Sequence, residues 1–271
     1  MPTFMTKDGA ELYYKVEGSE RGNPPLIFIH GWCSNLTHWE QQVSYFQDSH
    51  RMLRMDRRGM GKSTTPGTGH TPAQHAADIA ALARHEGFTN AVAIAHAGGG
   101  PAGVYLCSGY PELVRAYVMI DTAITPGVDL DNPTTMPARF YAEMIDKLTA
   151  LDGDGYFREL YTSFFGAQAD RELVESAVAE ASRTPVAIRV KELKLMAADT
   201  ATPAGTMPQP TLVIAGPWLA DTFPQAVDHA QLKSSFKQVE LARAIGTGHF
   251  VQLEVPDQTN AFIKSFVSRL A

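Results

Sequence analysis

Four short apolar runs do most to limit what this chain can fold into: "PPLIFIHG", "NAVAIAH", "VRAYVMIDT" and "QPTLVIAG". Each is a near-continuous block of small and branched apolar residues bounded by Gly, Pro, Asn or Asp. Such blocks suit strands covered on both faces, as in the interior of a parallel sheet. A further strand is read in "HRMLRMDRRGMGKS", ending at Asp56. Between the runs lie helical patterns. In "TPAQHAADIAALARHEG" apolar residues recur at spacings of three and four between a Thr start and a Gly stop, and "GPAGVYLCSGYPE" follows the second run. Strand and helix alternate through short connections, which predicts an α/β fold with right-handed crossovers. The opening, "TFMTK", Asp8-Gly9 and "AELYYKVEG", reads as a hairpin.

The alternation breaks after Asp121. From about residue 127 to 205 no buried strand is visible, and "TMPARFYAEMIDKLTALDG", "GYFRELYTSFFG", "DRELVESAVAEAS" and "PVAIRVKELKLMAAD" read as four amphipathic helices. The sheet resumes with "QPTLVIAG" and "KQVELARAIG", and the helix "PDQTNAFIKSFVSRLA" closes the chain. The expected organisation is a core domain of residues 1–126 and 206–271, with residues 127–205 as a helical cap over the C-terminal edge of the sheet. At 271 residues and 44% hydrophobic content the chain can bury one large core.

Charge and cysteine usage narrow the partners. The net charge is −6 and no Lys/Arg run stands out, which argues against nucleic acid and anionic membrane surfaces. No window approaches the roughly 18 apolar residues of a membrane span. The N-terminus lacks the basic start and apolar core of a signal peptide. The two cysteines, Cys33 and Cys107, form no CxxC pair and no Cys/His cluster at metal-ligand spacing. Free thiols in a reducing, cytoplasmic compartment are expected, with no metal and no cofactor. Nothing in the sequence sets the oligomeric state.

Chemistry is written most plainly in "VAIAHAGGGPAG", residues 92–103. A small residue, any residue, a nucleophile, any residue and a glycine make a nucleophile elbow, the strained strand-to-helix turn that lifts one side chain above a sheet. Here the lifted side chain is the methyl group of Ala97. It has no lone pair, so covalent catalysis at this position is excluded.

With "IHGW", "DRRGMGKS" and "GTGHF", this turn completes four landmarks, in an order that resembles the α/β-hydrolase superfamily along essentially the whole chain. The resemblance implies a mostly parallel sheet flanked by helices, with a helical cap inserted after strand 6. It also implies roles: position 97 for the nucleophile, His249 for the base, and the backbone N–H groups of Trp32 and Gly98 for the oxyanion hole. The acid usually lies three residues past a glycine after the seventh strand, but in "IAGPWLADTF" that residue is Leu219, and Asp221 comes two later. Asp121, at the end of the sixth strand, is the favoured alternative because some lineages place the acid there. Asp228 and Glu254 are weaker candidates. Trp32, Trp218, Phe140, Phe164 and Phe165 are expected to line an apolar pocket. His30 and His96 flank the two turns in packing roles, and His38, His50, His70, His75, His85 and His229 are assigned surface or packing roles.

Three explanations of Ala97 are open: a serine replaced to inactivate the enzyme, a natural binding protein, or chemistry that never used the nucleophile. The intact base, oxyanion turn and elbow glycines favour the first. It implies a serine hydrolase acting on a carboxylic ester or lactone of an apolar small molecule. The alternative is a cofactor-independent dioxygenase of the kind that cleaves heteroaromatic rings, which this chain is similar to in "GWC", in the acid after the sixth strand and in lacking G-x-x-D. There a His/Asp pair deprotonates the substrate, which then reacts directly with oxygen.

Overall fold

The computed structural model describes residues 2–270. The apolar runs become strands: β1 (Thr3–Met5), β2 (Glu11–Gly18), β3 (Leu26–Ile29), β4 (Arg51–Met55), β5 (Ala91–His96), β6 (Val114–Ile120), β7 (Thr211–Ala215) and β8 (Val239–Arg243). They form one sheet in the order β1-β2-β4-β3-β5-β6-β7-β8. The hairpin β1–β2 and the pair β2–β4 are antiparallel, and every other pairing is parallel. All residues of β3, β5 and β7 are buried, as a strand sandwiched between helices requires.

The helices α1 (Glu40–Phe46), α2 (Pro72–His85) and α3 (Gly100–Gly109) belong to the first half. Thr71 caps α2 by accepting the Gln74 N–H, ahead of Pro72 in the first turn. Then α4 (Met136–Thr149), α5 (Gly153–Ser163), α6 (Arg171–Ala181), α7 (Val186–Met196) and α8 (Ala201–Thr206) fill the interval between β6 and β7. The second half adds α9 (Pro217–Thr222), α10 (His229–Ser235), α11 (Val251–Glu254) and α12 (Pro256–Val267). One face of the sheet packs on α2 and α3 through Ile79, Leu82, Ala83, Val104 and Leu106. The other packs on α1 and α12 through Val43, Phe46, Ile263 and Phe266. A third apolar cluster joins α4, α5 and α7 to Trp32, Cys33 and Phe250, all of which lie beyond strand ends.

Five of these helices, α1 and α8 to α11, have no counterpart in the sequence reading. They span only 4 to 7 residues each. So short a run cannot display a 3.6-residue period, and tertiary contacts hold such a helix rather than propensity. Among the described residues no helix is long and apolar enough to cross a membrane. Cys33 and Cys107 are free and buried.

Candidate active site

The carboxyl ends of β3, β5 and β6 converge on one cavity, where open α/β sheets place their ligands. β5 ends at His96, and the chain reverses through a single 3-10 turn at 97–99 into α3. A Cβ on Gly99 would stand 2.5 Å from the His30 carbonyl oxygen, so only glycine lets the two turns approach this closely. Ala97 itself sits at φ +47°, and Cys33 and Asp121 at +51° and +47°. A left-handed backbone costs a residue with a Cβ about 1–2 kcal/mol. Ala97 and Asp121 line the cavity and Cys33 directly follows Trp32, which lines it too; strain held in place by the fold in this way concentrates at functional sites.

His249 follows β8 and meets Asp121 at the end of β6: Nδ1 and Oδ2 are 2.6 Å apart. The other carboxylate oxygen, Oδ1, accepts the Gly216 N–H at 2.6 Å. The residue is held at three further points, two on its backbone and one on its ring. The His249 N–H donates to the Phe164 carbonyl at 2.6 Å, His96 Nε2 bonds the His249 carbonyl at 2.9 Å, and the Trp218 ring lies 4.1 Å from the imidazole centroid. Asp121 is 1% exposed and His249 7%. Burial raises the Asp121 carboxyl to about 8, opposed by the Gly216 N–H, and lowers His249 to about 3. Both shifts resist separate charges inside the protein. Below about pH 8 the pair keeps the proton they share.

On the facing side, the Trp32 and Gly98 N–H groups have no acceptor among the described residues. They lie together, since a Cβ on Gly98 would be 3.0 Å from Trp32 N. Two neighbouring unpaired donors, one of them in the turn that opens α3, are suited to a developing oxyanion. Arg57 braces the turn that carries Trp32: its Nε and Nη2 donate to the His30 and Gly31 carbonyls at 3.0 and 3.1 Å, and its N–H donates to His30 Nε2 at 2.8 Å. Burial, aided by the Arg57 charge, holds His30 well below the ordinary imidazole range and so keeps it neutral, as that acceptor role requires.

The candidate catalytic groups share one cavity whose lining is mostly apolar, as small-molecule sites are. Trp32, Ala97, Gly98, Asp121, Phe140, Phe164, Trp218 and His249 all line it, joined by Tyr141, Met144 and Met196. Phe165 does not. It stacks on Phe250 at 4.5 Å, because two consecutive residues at the end of α5 point in different directions and only Phe164 faces inward. Asp221 is exposed on α9, and Asp228 caps α10 by accepting the Gln231 N–H. Glu254 accepts backbone N–H groups of Gly166, Gly248 and Phe250, bracing the loop that holds His249.

One cluster escaped the sequence reading. Glu192 on α7 is buried, with Oε2 on Arg57 Nη1 at 2.7 Å and Oε1 on His70 Nδ1 and His75 Nε2 at 2.8 and 2.9 Å. Burial opposes its ionisation, but attraction to His75 and Arg57 holds the carboxyl well below the usual range. A Glu inside "VKELKLM" looks solvent-facing, and only the doubled histidines of "HTPAQH" hinted at a shared partner.

A strand–elbow–helix turn facing a histidine–carboxylate pair across the carboxyl edge of a parallel sheet defines the α/β-hydrolase class. The chain belongs to the alpha/beta hydrolase fold family, which it matches over residues 24–256. It is 33% identical over 169 residues to a non-heme chloroperoxidase of Streptomyces lividans, covering 61% of each chain. It is 32% identical over 151 residues to a bifunctional esterase/perhydrolase of Acinetobacter calcoaceticus, covering 55% of this chain and 54% of that one. The chain thus spans between half and two thirds of the length of these relatives. A solved enol-lactonase from Burkholderia xenovorans superposes with a TM-score of 0.83 at 20% identity, covering 99% of this chain and 100% of that one. At that identity the likeness concerns the fold.

Proposed function

We propose that this chain is a hydrolase for a carboxylic ester or lactone of an apolar small molecule, in a form inactivated at position 97. The observation that carries the reading is the 2.6 Å Asp121–His249 bond in a cavity also lined by the elbow residue and the two unpaired N–H donors. With a serine at 97, His249 Nε2 takes the hydroxyl proton as the oxygen attacks the substrate carbonyl. The Trp32 and Gly98 N–H groups hold the oxyanion, the leaving oxygen receives the proton, and water activated by His249 releases the acyl group. In this reading Trp218, Phe140 and Phe164 bind the apolar part of the substrate, and residues 127–205 act as a cap over it. Neither metal nor cofactor takes part. The esterase/perhydrolase relative supports the ester assignment.

Ala97→Ser tests it. The folded variant is expected to hydrolyse short p-nitrophenyl esters and to be labelled by a fluorophosphonate; failure in both refutes the reading.

One observation favours a second reading, the cofactor-independent dioxygenase. The acid stands at the end of β6, and the pair is intact beside an alanine that has no proton to give up. In that case His249 deprotonates a hydroxylated heteroaromatic substrate, whose anion reacts with oxygen. Substrate-dependent oxygen uptake by the unaltered chain would replace the first reading. Tight ligand binding with no turnover in either form would make it a binding protein.

A further inference from the structure

α7 reaches the oxyanion turn twice. The Trp32 indole N–H donates to the Arg189 carbonyl at 2.9 Å, and Glu192, one turn further along, holds Arg57 at 2.7 Å. Arg57 is the same side chain that grips the His30 and Gly31 carbonyls. From the end of α7, Met196 Sδ would stand 3.0 Å from a Cβ on Gly98. A single helix between β6 and β7 therefore touches the support of both candidate oxyanion donors.

His70, His75 and Glu192 offer three ligand atoms within 4.8 Å of one another, which raises the question of a metal. The charges decide against it. Arg57 already neutralises the carboxylate, so a divalent ion would add two uncompensated charges to a buried site. Each imidazole instead directs one ring nitrogen at Oε1, and His70 bonds Thr65 Oγ1 through its other nitrogen. The histidines orient Glu192 toward Arg57.

The geometry points to Glu192 as a positioning residue: with α7 seated, it locks Arg57 onto the oxyanion turn, so seating of the helix and alignment of the Trp32 and Gly98 N–H groups are one event. Displacement of α7 would free Arg57 from Glu192 and the Trp32 indole from the Arg189 carbonyl together, leaving the donors unaligned. Productive geometry then exists only in the closed molecule. The inference rests on the reading of these two N–H groups as oxyanion donors.

Two readouts test it. In the Ala97→Ser background, Glu192→Gln is expected to lower kcat about 30-fold, with KM changed less than about threefold, since misaligned donors act in the transition state. In the unaltered chain, the same substitution is expected to shift the amide resonances of Trp32 and Gly98 and the Trp32 indole signal. The Trp39 indole, packed on Phe28 on the other face of the sheet, should stay in place. Because Glu192→Gln leaves a buried guanidinium without its partner, Trp32→Phe serves as the second variant. It cuts the tie to Arg189 without touching a charge, and the Gly98 amide should again shift. Unmoved Trp32 and Gly98 amides in folded Glu192→Gln, or a rise in KM at constant kcat, overturns the inference. So does zinc-dependent thermal stabilisation of the unaltered chain that His75→Ala abolishes. If the amides shift but the serine variant hydrolyses nothing, the lock stands and the hydrolase reading falls.

Discussion

Replacing Asp121 with Asn in the Ala97→Ser background isolates what the buried carboxylate does. The site dictates how the new side chain must sit. Gly216 N–H points at Oδ1 and needs an acceptor, so the Asn oxygen stays there and its NH2 group faces His249. His249 Nδ1 must then accept, which moves the imidazole proton to Nε2, the atom that has to take the serine proton. The base is lost while the shape is kept. Forcing this tautomer lowers turnover by about 10³ to 10⁴, or roughly 4 to 5.5 kcal/mol of transition-state stabilisation. Steady-state kcat on a p-nitrophenyl ester above about pH 8, where the parent dyad has given up its shared proton, measures it, with Asp221→Asn as the control. Asp221 is exposed on α9, and its loss should cost less than about tenfold. Stability should move the other way. Asp121 is raised from 3.8 to about 8 by burial, so the folded state binds the extra proton and loses stability as pH rises between those values. His249 is lowered from 6.5 to about 3, so the fold loses stability as pH falls through that window. The two slopes oppose each other between about 4 and 6.5, and above 6.5 only that of Asp121 remains. Asp121→Asn should therefore raise Tm more at pH 8 than at pH 6. Equal kinetic losses for the two variants, or a loss under tenfold for Asp121→Asn, would refute the reasoning.

The same proton sets a pH profile: kcat/KM of the Ala97→Ser variant should rise through about pH 8, as loss of the dyad's shared proton frees His249 Nε2 to accept, and a flat profile from pH 6 to 9 counts against it. Phe164→Ala should move preference between bulky and acetate esters by more than about tenfold, since Phe164 lines the cavity beside His249. Phe165→Ala should leave that ratio unchanged and lower Tm instead, through loss of its stack on Phe250, worth about 0.5–1.5 kcal/mol beyond the area buried.

The inner strands were legible because they are buried on both faces, so burial alone writes continuous apolar runs such as "LIFI" and "TLVIA". The elbow was legible for a related reason. Backbone crowding at Gly99 excludes a Cβ, and the absence of side chains is visible in a sequence. That Asp121 ends a strand could be read directly. That its carboxylate meets His249, 128 residues away, while Asp221 turns to solvent, could not.

By itself, then, the sequence determined which segments are strands and long helices, where the turns lie, and that position 97 carries no nucleophile. The tertiary structure alone decided which side chains face one another. It turned Phe164 inward and its neighbour Phe165 onto Phe250, and it joined His70, His75 and Arg57 to Glu192 across more than a hundred residues of chain. The physical reason is range. Periodicity and backbone sterics act between residues a few positions apart and leave a local trace. A buried charge finds its partners through the packing of helices on the sheet, and the alternative rotamer or register reads the same in the sequence until the core has closed.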